Sequence, residues 1–201
     1  VGEDGASHQC CEDFALMRVI PGMLVMSPAD DVEARQMVHA AYEYDGPVYI
    51  RLGRAAIPVF HDEENYKFEI GKAEILHEGT DICIISNGVL TYEALKAAET
   101  LEKEGIHARV LNMGTIKPID AEAVVAAAKE CGKIITAEEH SVIGGLGEAV
   151  CAVLAEKYPA PVRRIGLQDV FGYSGPMAQL MVEFGLDETN IVKTVKEFLA
   201  E

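Results

Sequence analysis

The stretch Ile82-Cys83-Ile84-Ile85-Ser86-Asn87-Gly88-Val89-Leu90 decides the fold class. Its first five residues are almost wholly apolar and rich in β-branched side chains, which predicts a strand buried on both faces. Asn87-Gly88 then breaks the run. From Leu90 the apolar spacing changes to the helical period. Leu90, Ala94, Ala97, Ala98 and Leu101 fall on one face, and Gly105 supplies a stop, so a helix is predicted over 90–104. A doubly buried strand leading into an amphipathic helix is the building unit of a parallel sheet with helices packed on it.

The same alternation continues outward. Strands are predicted over 108–111, 133–137 and 162–167. Helices are predicted from an Asp120 cap to about 129 with a stop at Gly132, over 147–157, and over 178–184 and 190–199. Upstream, 68–76 reads as a strand running into a tight Glu78-Gly79 turn, which places it antiparallel at an edge. The class is therefore α/β, with a mostly parallel, mixed sheet covered on both faces over 68–201.

Before residue 68 the composition changes. Residues 58–67, Pro-led and acidic, carry neither period and read as a linker, taken as 61–67. The unit before it, 1–60, reads as loop, a helix over 12–19, a strand over 23–26, a helix started by Ser27-Pro28 and stopped at Gly46-Pro47, and a strand over 48–52. Two strands make a thin α/β layer, so a partial domain is expected.

The 201 residues carry a formal net charge of −16. That field disfavours non-specific binding to nucleic acid or to an anionic membrane, so neither is expected as a partner. No apolar run approaches the roughly 20 residues of a transmembrane helix. The opening Val1-Gly2-Glu3-Asp4 has neither the basic nor the apolar region of a secretory signal. Five cysteines without CxxC spacing read as reduced thiols in a cytoplasmic protein.

Three motifs bear on chemistry. In Gly2-Glu3-Asp4-Gly5-Ala6-Ser7-His8-Gln9 the glycines let polar groups converge, Asp4 can accept hydrogen bonds from hydroxyls, and His8 can donate to a carbonyl or hydroxyl oxygen. On residue chemistry alone, hydroxyl recognition and an ordinary surface loop both stay open. Gly144-Gly145-Leu146-Gly147 precedes a helix but fails the spacing of a phosphate loop, and Glu148 would oppose an anion, so it reads as a close-packing turn. Glu138-Glu139-His140 has no second ligand at metal spacing; it reads as a strand-end polar cluster at a domain or subunit contact, and no metal site is expected. His39, His61, His77 and His107 are isolated and read as surface or partly buried.

The string from Gly2 to Gln9 resembles the transketolase motif G-E-D-G-P-T-H-Q, with Ala6 and Ser7 in place of Pro and Thr. The likeness continues through Arg18-Val19-Ile20-Pro21, Met26-Ser27-Pro28-Ala29-Asp30, Arg51-Leu52-Gly53-Arg54, Ala137-Glu138-Glu139-His140, Gly144 to Ala149, Tyr173-Ser174-Gly175 and Phe184-Gly185-Leu186-Asp187. It implies the end of a thiamine-diphosphate pyrimidine-binding domain followed by a transketolase C-terminal domain, the latter a three-layer α/β/α unit.

The resemblance also implies an activity: transfer of a two-carbon ketol unit between sugar phosphates, in the pentose phosphate pathway. It puts sugar contacts on Asp4 and His8, with His8 as the catalytic group. It puts the sugar phosphate on Arg54, which begins the Arg-x-x-x-Pro element completed by Pro58. A guanidinium fork suits a phosphate. Arg51, three residues earlier, is expected to point elsewhere by strand alternation.

Thiamine diphosphate and Mg2+ are implied for the parent enzyme, but the family's glutamate and aromatic cofactor contacts lie upstream of these motifs. The chain alone is therefore expected to be inactive. Its expected partners are the N-terminal part or subunit of the same enzyme, in a homodimer or a split-subunit assembly. Two alternatives stand beside this reading. One is a 1-deoxyxylulose-5-phosphate synthase, disfavoured because that group commonly has His-His where this chain has His8-Gln9. The other is a non-catalytic interaction or regulatory domain.

Overall fold

A computed structural model describes residues 3–201. The chain runs α1 (Asp13–Arg18), β1 (Leu24–Met26), α2 (Asp31–Glu43), β2 (Val48–Ile50), β3 (Glu74–His77), β4 (Ile82–Ser86), α3 (Leu90–Glu102), β5 (Ala108–Asn112), β6 (Thr115–Lys117), α4 (Ala121–Cys131), β7 (Ile134–Ser141), α5 (Leu146–Lys157), β8 (Val162–Leu167), α6 (Met177–Glu183) and α7 (Glu188–Leu199).

Five strands form the larger sheet in the order β3-β5-β4-β7-β8. β4 pairs parallel with β5 and β7, and β7 pairs parallel with β8. β3 lies at the edge and runs antiparallel to β5, as the Glu78-Gly79 turn predicts. β4 is buried at all five positions, and its side chains alternate between two cores. Ile82 and Ile84 pack with α3 and α7 through Leu90, Ala94, Leu101, Ile191 and Phe198. Cys83 and Ile85 pack with α4 and α5 through Val124, Ala128, Val150 and Leu154. Helices thus cover both faces, giving the three-layer α/β/α unit. Each fully buried large apolar side chain contributes roughly 1.5–3 kcal/mol.

The smaller sheet has the order β2-β1-β6. β1 and β2 pair parallel in register Leu24 to Val48 and Met26 to Ile50. β6 is not foreseen from the sequence. Three residues, Thr-Ile-Lys, carry too little period to read, yet they pair antiparallel with β1 and so lend a third strand to the first sheet from well past residue 68.

Other elements shift from their expected bounds. The helix expected from Ser27 begins four residues later at Asp31, because Asp30 outcompetes Ser27 as the cap. The Asp30 carboxylate accepts the Glu33 N–H at 3.0 Å. The strand expected over 68–76 starts only at Glu74 and runs to His77.

The acidic stretch expected as a linker is pinned down. Asp30 accepts the N–H groups of Phe60 and His61 at 3.0 and 2.9 Å. His61 is buried, against its expected place at the surface or half-buried, with its ring nitrogens 2.9 Å from Asp30 and 3.0 Å from Glu74. Burial alone would lower the His61 pKa, but these two carboxylates raise it above the ordinary histidine value. Buried Glu33 accepts hydrogen bonds from the Tyr66 hydroxyl at 2.8 Å and the Asn112 amide at 2.9 Å. Helix α2, the connecting segment and the end of β5 are therefore held by one polar network.

Candidate functional site

Strand β2 ends at Ile50, and the chain then turns through Leu52-Gly53-Arg54. The opening loop comes back across this end. Its backbone closes a turn by the His8 N–H to Gly5 carbonyl bond, 3.0 Å, with Gly5 at φ +80°, a conformation that favours glycine. Loop and strand end form a cleft of about 240 Å3 lined by Asp4, His8, Cys10, Asp13, Tyr49, Arg51, Arg54 and Glu139 among others.

Asp4, His8 and Arg54, from two well-separated stretches of sequence, thus share one cleft. Arg54 Nε lies 2.6 Å from Asp4 Oδ2, and its Nη1 lies 3.7 Å from Glu3 Oε2. The Arg54 side chain is 60% exposed, so its guanidinium stands at a solvent-accessible rim. His8 is exposed, and its Nδ1 lies 3.0 Å from Ser7 Oγ. An acceptor for hydroxyls, a proton-transfer group and an anion-binding fork within one small cleft suit a phosphorylated polyol.

Arg51 departs from expectation. It lines the same cleft, because strand alternation stops counting where the strand stops. Its guanidinium is committed to the framework. Nη2 donates to the Cys10 carbonyl at 2.9 Å, Nη1 donates to the Glu139 carbonyl, and Nε lies 3.2 Å from Asp13. The cation also sits 5.0 Å from the centre of the Phe14 ring. Asp13 accepts the Tyr49 hydroxyl at 2.7 Å, and burial with that carboxylate raises the tyrosine pKa. Neither Arg51 nor this Asp13–Tyr49 pair is expected from the sequence as part of the site.

The Glu138-Glu139-His140 cluster lies inside β7, which runs four residues past its expected end and contacts the first unit. His140 is fully buried and stacks on Phe14 at 5.0 Å. Its Nε2 accepts the Phe14 N–H at 3.1 Å, and its Nδ1 lies 2.6 Å from the Ser141 carbonyl. Those two partners fit a neutral ring protonated on Nδ1, in keeping with burial lowering its pKa.

Glu138 fills the N-terminus of α5. The N–H groups of Leu146 and Gly147 donate to it at 2.6 and 2.8 Å. The glycine-rich turn therefore packs the chain's own carboxylate where an external anion would otherwise bind, and a Cβ on Gly145 would lie 2.0 Å from that carboxylate.

Burial pushes the Glu138 pKa up to about 7 from an ordinary 4.5, against the pull of those two N–H bonds. Its folded pKa exceeds its unfolded one, so its contribution is complete below pH 4.5 and is lost as pH rises through 7. Unfolding by urea at pH 5 and pH 8 should show the wild type losing on the order of 3 kcal/mol from this group. Glu138→Gln, a neutral stand-in for the protonated acid that cannot ionise, should lack the fall.

Among the described residues, no group of three or more His, Cys, Asp and Glu gathers as a metal site. Among the same residues the cleft also lacks an aromatic slot for a heterocycle, since the Tyr49 ring that lines it is tied to Asp13. Within this cleft the described residues therefore offer thiamine diphosphate neither a carboxylate cluster for its metal nor a stacking slot for its ring.

The transketolase pyrimidine-binding domain matches residues 1–59, and the transketolase C-terminal domain matches residues 71–191. A putative transketolase C-terminal section from Methanocaldococcus jannaschii is 45% identical over 199 residues, covering 98% of this chain and 62% of that protein. A subunit of the apulose-4-phosphate transketolase from Phocaeicola vulgatus is 43% identical over 198 residues, covering 98% of this chain and 63% of that protein. A 1-deoxy-D-xylulose-5-phosphate synthase from Geobacter sulfurreducens is 42% identical over 205 residues, all of this chain but 32% of that enzyme. Among solved structures, a split-gene transketolase forming an inactive beta4 tetramer superposes with a TM-score of 0.90 at 48% identity, over 97% of this chain and 63% of that one. The chain spans about three fifths of these transketolase relatives. The two domain matches and the identity along nearly the whole chain lead to one conclusion: this protein belongs to the transketolase family.

Proposed function

We propose that this chain carries the sugar-phosphate half of a thiamine-diphosphate transketolase site. The observation that carries the reading is the meeting of Asp4, His8 and Arg54 in one cleft, with Asp4 and Arg54 2.6 Å apart. Arg54 exchanges its contact with Asp4 and Glu3 for the substrate phosphate. Asp4, so released, accepts hydrogen bonds from sugar hydroxyls and selects their stereochemistry. His8 donates to the substrate carbonyl oxygen and moves protons there. Thiamine diphosphate, when bound with Mg2+ by the rest of the enzyme, supplies the carbanion chemistry of carbon–carbon cleavage.

Residues 1–60 then form part of the pyrimidine-binding domain, 61–67 the connection and 68–201 the C-terminal domain. The partner is the cofactor-bearing part of the enzyme, in a dimeric or split-subunit assembly. The acidic chain and five free cysteines suit a cytoplasmic enzyme of pentose phosphate metabolism. A synthase acting on pyruvate is the second reading, since such an enzyme is nearly as similar. Gln9 in place of a second histidine favours ketol transfer.

Two measurements test this reading. Calorimetry of the chain alone with thiamine diphosphate and Mg2+ should give no tight binding; a micromolar or better constant would contradict it. The chain combined with its cofactor-bearing part should form a seven-carbon sugar phosphate from xylulose 5-phosphate and ribose 5-phosphate. Release of carbon dioxide from pyruvate with glyceraldehyde 3-phosphate, in place of that product, would establish the synthase.

A further inference from the structure

The opening loop is held to the C-terminal unit at two separate places. One is the end of β7, where the Ser141 N–H donates to the Cys11 carbonyl at 2.8 Å and Arg51 bridges the carbonyls of Cys10 and Glu139. The other is the segment between β8 and α6. There Gln9 Nε2 donates to the Tyr173 carbonyl at 3.3 Å, and the Ser174 hydroxyl donates to the Glu3 carbonyl. The fit is close. A Cβ on Gly172 would lie 1.8 Å from Gln9 Oε1, and one on Gly5 would lie 3.0 Å from Ser174 Oγ.

These contacts span 164 and 171 residues of sequence and end on the loop that carries Asp4 and His8. A glycine-containing loop costs about 1–2 kcal/mol per residue to order. Its own turn at Gly5 returns about 1 kcal/mol. The remainder of its order has to come from outside. Displacing a substrate-contacting group by about 1 Å is enough to lower a rate about a hundredfold.

We propose that Gly172-Tyr173-Ser174 is a positioning element of the substrate site, and that it gives the C-terminal domain its part in the reaction: fixing Asp4 and His8 opposite Arg54. Ser174 acts on the backbone of Glu3, next to Asp4, and Gly172 leaves room for Gln9, next to His8. Neither needs to touch substrate. The inference rests on the reading of Asp4, His8 and Arg54 as the sugar-phosphate site.

Four variants of the reconstituted enzyme test it: Ser174→Ala, Ser174→Thr, Gly172→Ala and Asp4→Asn. Amide exchange at residues 3–11, Tm, and KM and kcat for ribose 5-phosphate are measured on each. Ser174→Ala and Gly172→Ala should each speed exchange of the His8 amide about tenfold and raise KM about fivefold, the loss of one hydrogen bond. Tm should stay within about 2 °C, because the contacts lie on the surface. Ser174→Thr keeps the hydroxyl and should restore both readouts. Ser174→Ala carries the test if Gly172→Ala does not fold.

Faster exchange with unchanged KM would overturn the positioning role, and unchanged exchange would overturn the tether itself. If Asp4→Asn leaves KM unchanged, the site reading fails and takes the inference with it. Altered exchange in Ser174→Ala would then show that the site, and not the tether, was misplaced.

Discussion

Arg54→Ala should lower kcat/KM for phosphorylated sugars by roughly 30- to 150-fold, the equivalent of about 2–3 kcal/mol for a hydrogen-bonded charge pair. The loss should appear mainly in KM, since the phosphate is bound alike in the ground state and the transition state. A ketose without the phosphate should be turned over at nearly the wild-type rate. Arg54→Lys should fall between, keeping the charge but losing the planar fork. Protein stability should change little, because the Arg54–Asp4 pair lies at a 60% exposed side chain and exposed pairs contribute about 0–1 kcal/mol. Initial-rate kinetics with phosphorylated and unphosphorylated donors measure all of this. An equal loss for both donors would mean that Arg54 does not hold the phosphate.

Arg51→Ala should behave oppositely, destabilising the fold by about 3 kcal/mol and lowering Tm by about 6–12 °C. Its side chain is 17% exposed and pairs with Asp13, which is 8% exposed. Removing the guanidinium strands that buried carboxylate, frees two carbonyls and takes a cation from the Phe14 ring. Arg51→Lys cannot reach Cys10, Glu139 and Asp13 together, so it should recover less than about half of the loss. Differential scanning calorimetry measures the shift. A Tm within about 2 °C of wild type for Arg51→Ala would contradict the clamp. Because the clamp also holds Cys10, surviving enzyme should show a raised KM for both phosphorylated and unphosphorylated sugars, unlike Arg54→Ala.

Most of the larger sheet was legible in the sequence because its strands are apolar on both faces and its helices keep a clear period. β4 and β8 have the bounds expected from pattern alone. The smaller sheet was less legible. β6 is three residues long, and it belongs to that sheet only because β1 lies beside it, which no local period records. The cap of α2 went to Asp30 instead of Ser27 because Asp30 also satisfies the N–H groups of Phe60 and His61, far along the chain. His61 itself looked isolated in sequence; its partners Asp30 and Glu74 lie on either side of a stretch that carries no period.

At the site, the opening motif and the Arg54 element pointed to residues that do share a cleft. Arg51 lies past the strand end at Ile50, so alternation does not foresee it in the cleft wall, where its guanidinium is taken up by Cys10, Glu139 and Asp13. The segment 172–174 gave no sign of its contacts. They are made largely by backbone carbonyls and by the room left at a glycine, and such contacts leave little trace in residue type.

The central claim is that the sugar phosphate sits between the opening loop and the end of β2. Nitrogen NMR of the arginine side chains in the reconstituted enzyme, titrated with ribose 5-phosphate, tests this directly. The Arg54 Nε resonance should shift as its contact with Asp4 is exchanged for phosphate, together with the amides of Asp4 and His8, while Arg163 and Arg164 on β8 stay still. Shifts at Arg163 and Arg164 with Arg54 unmoved would contradict the claim.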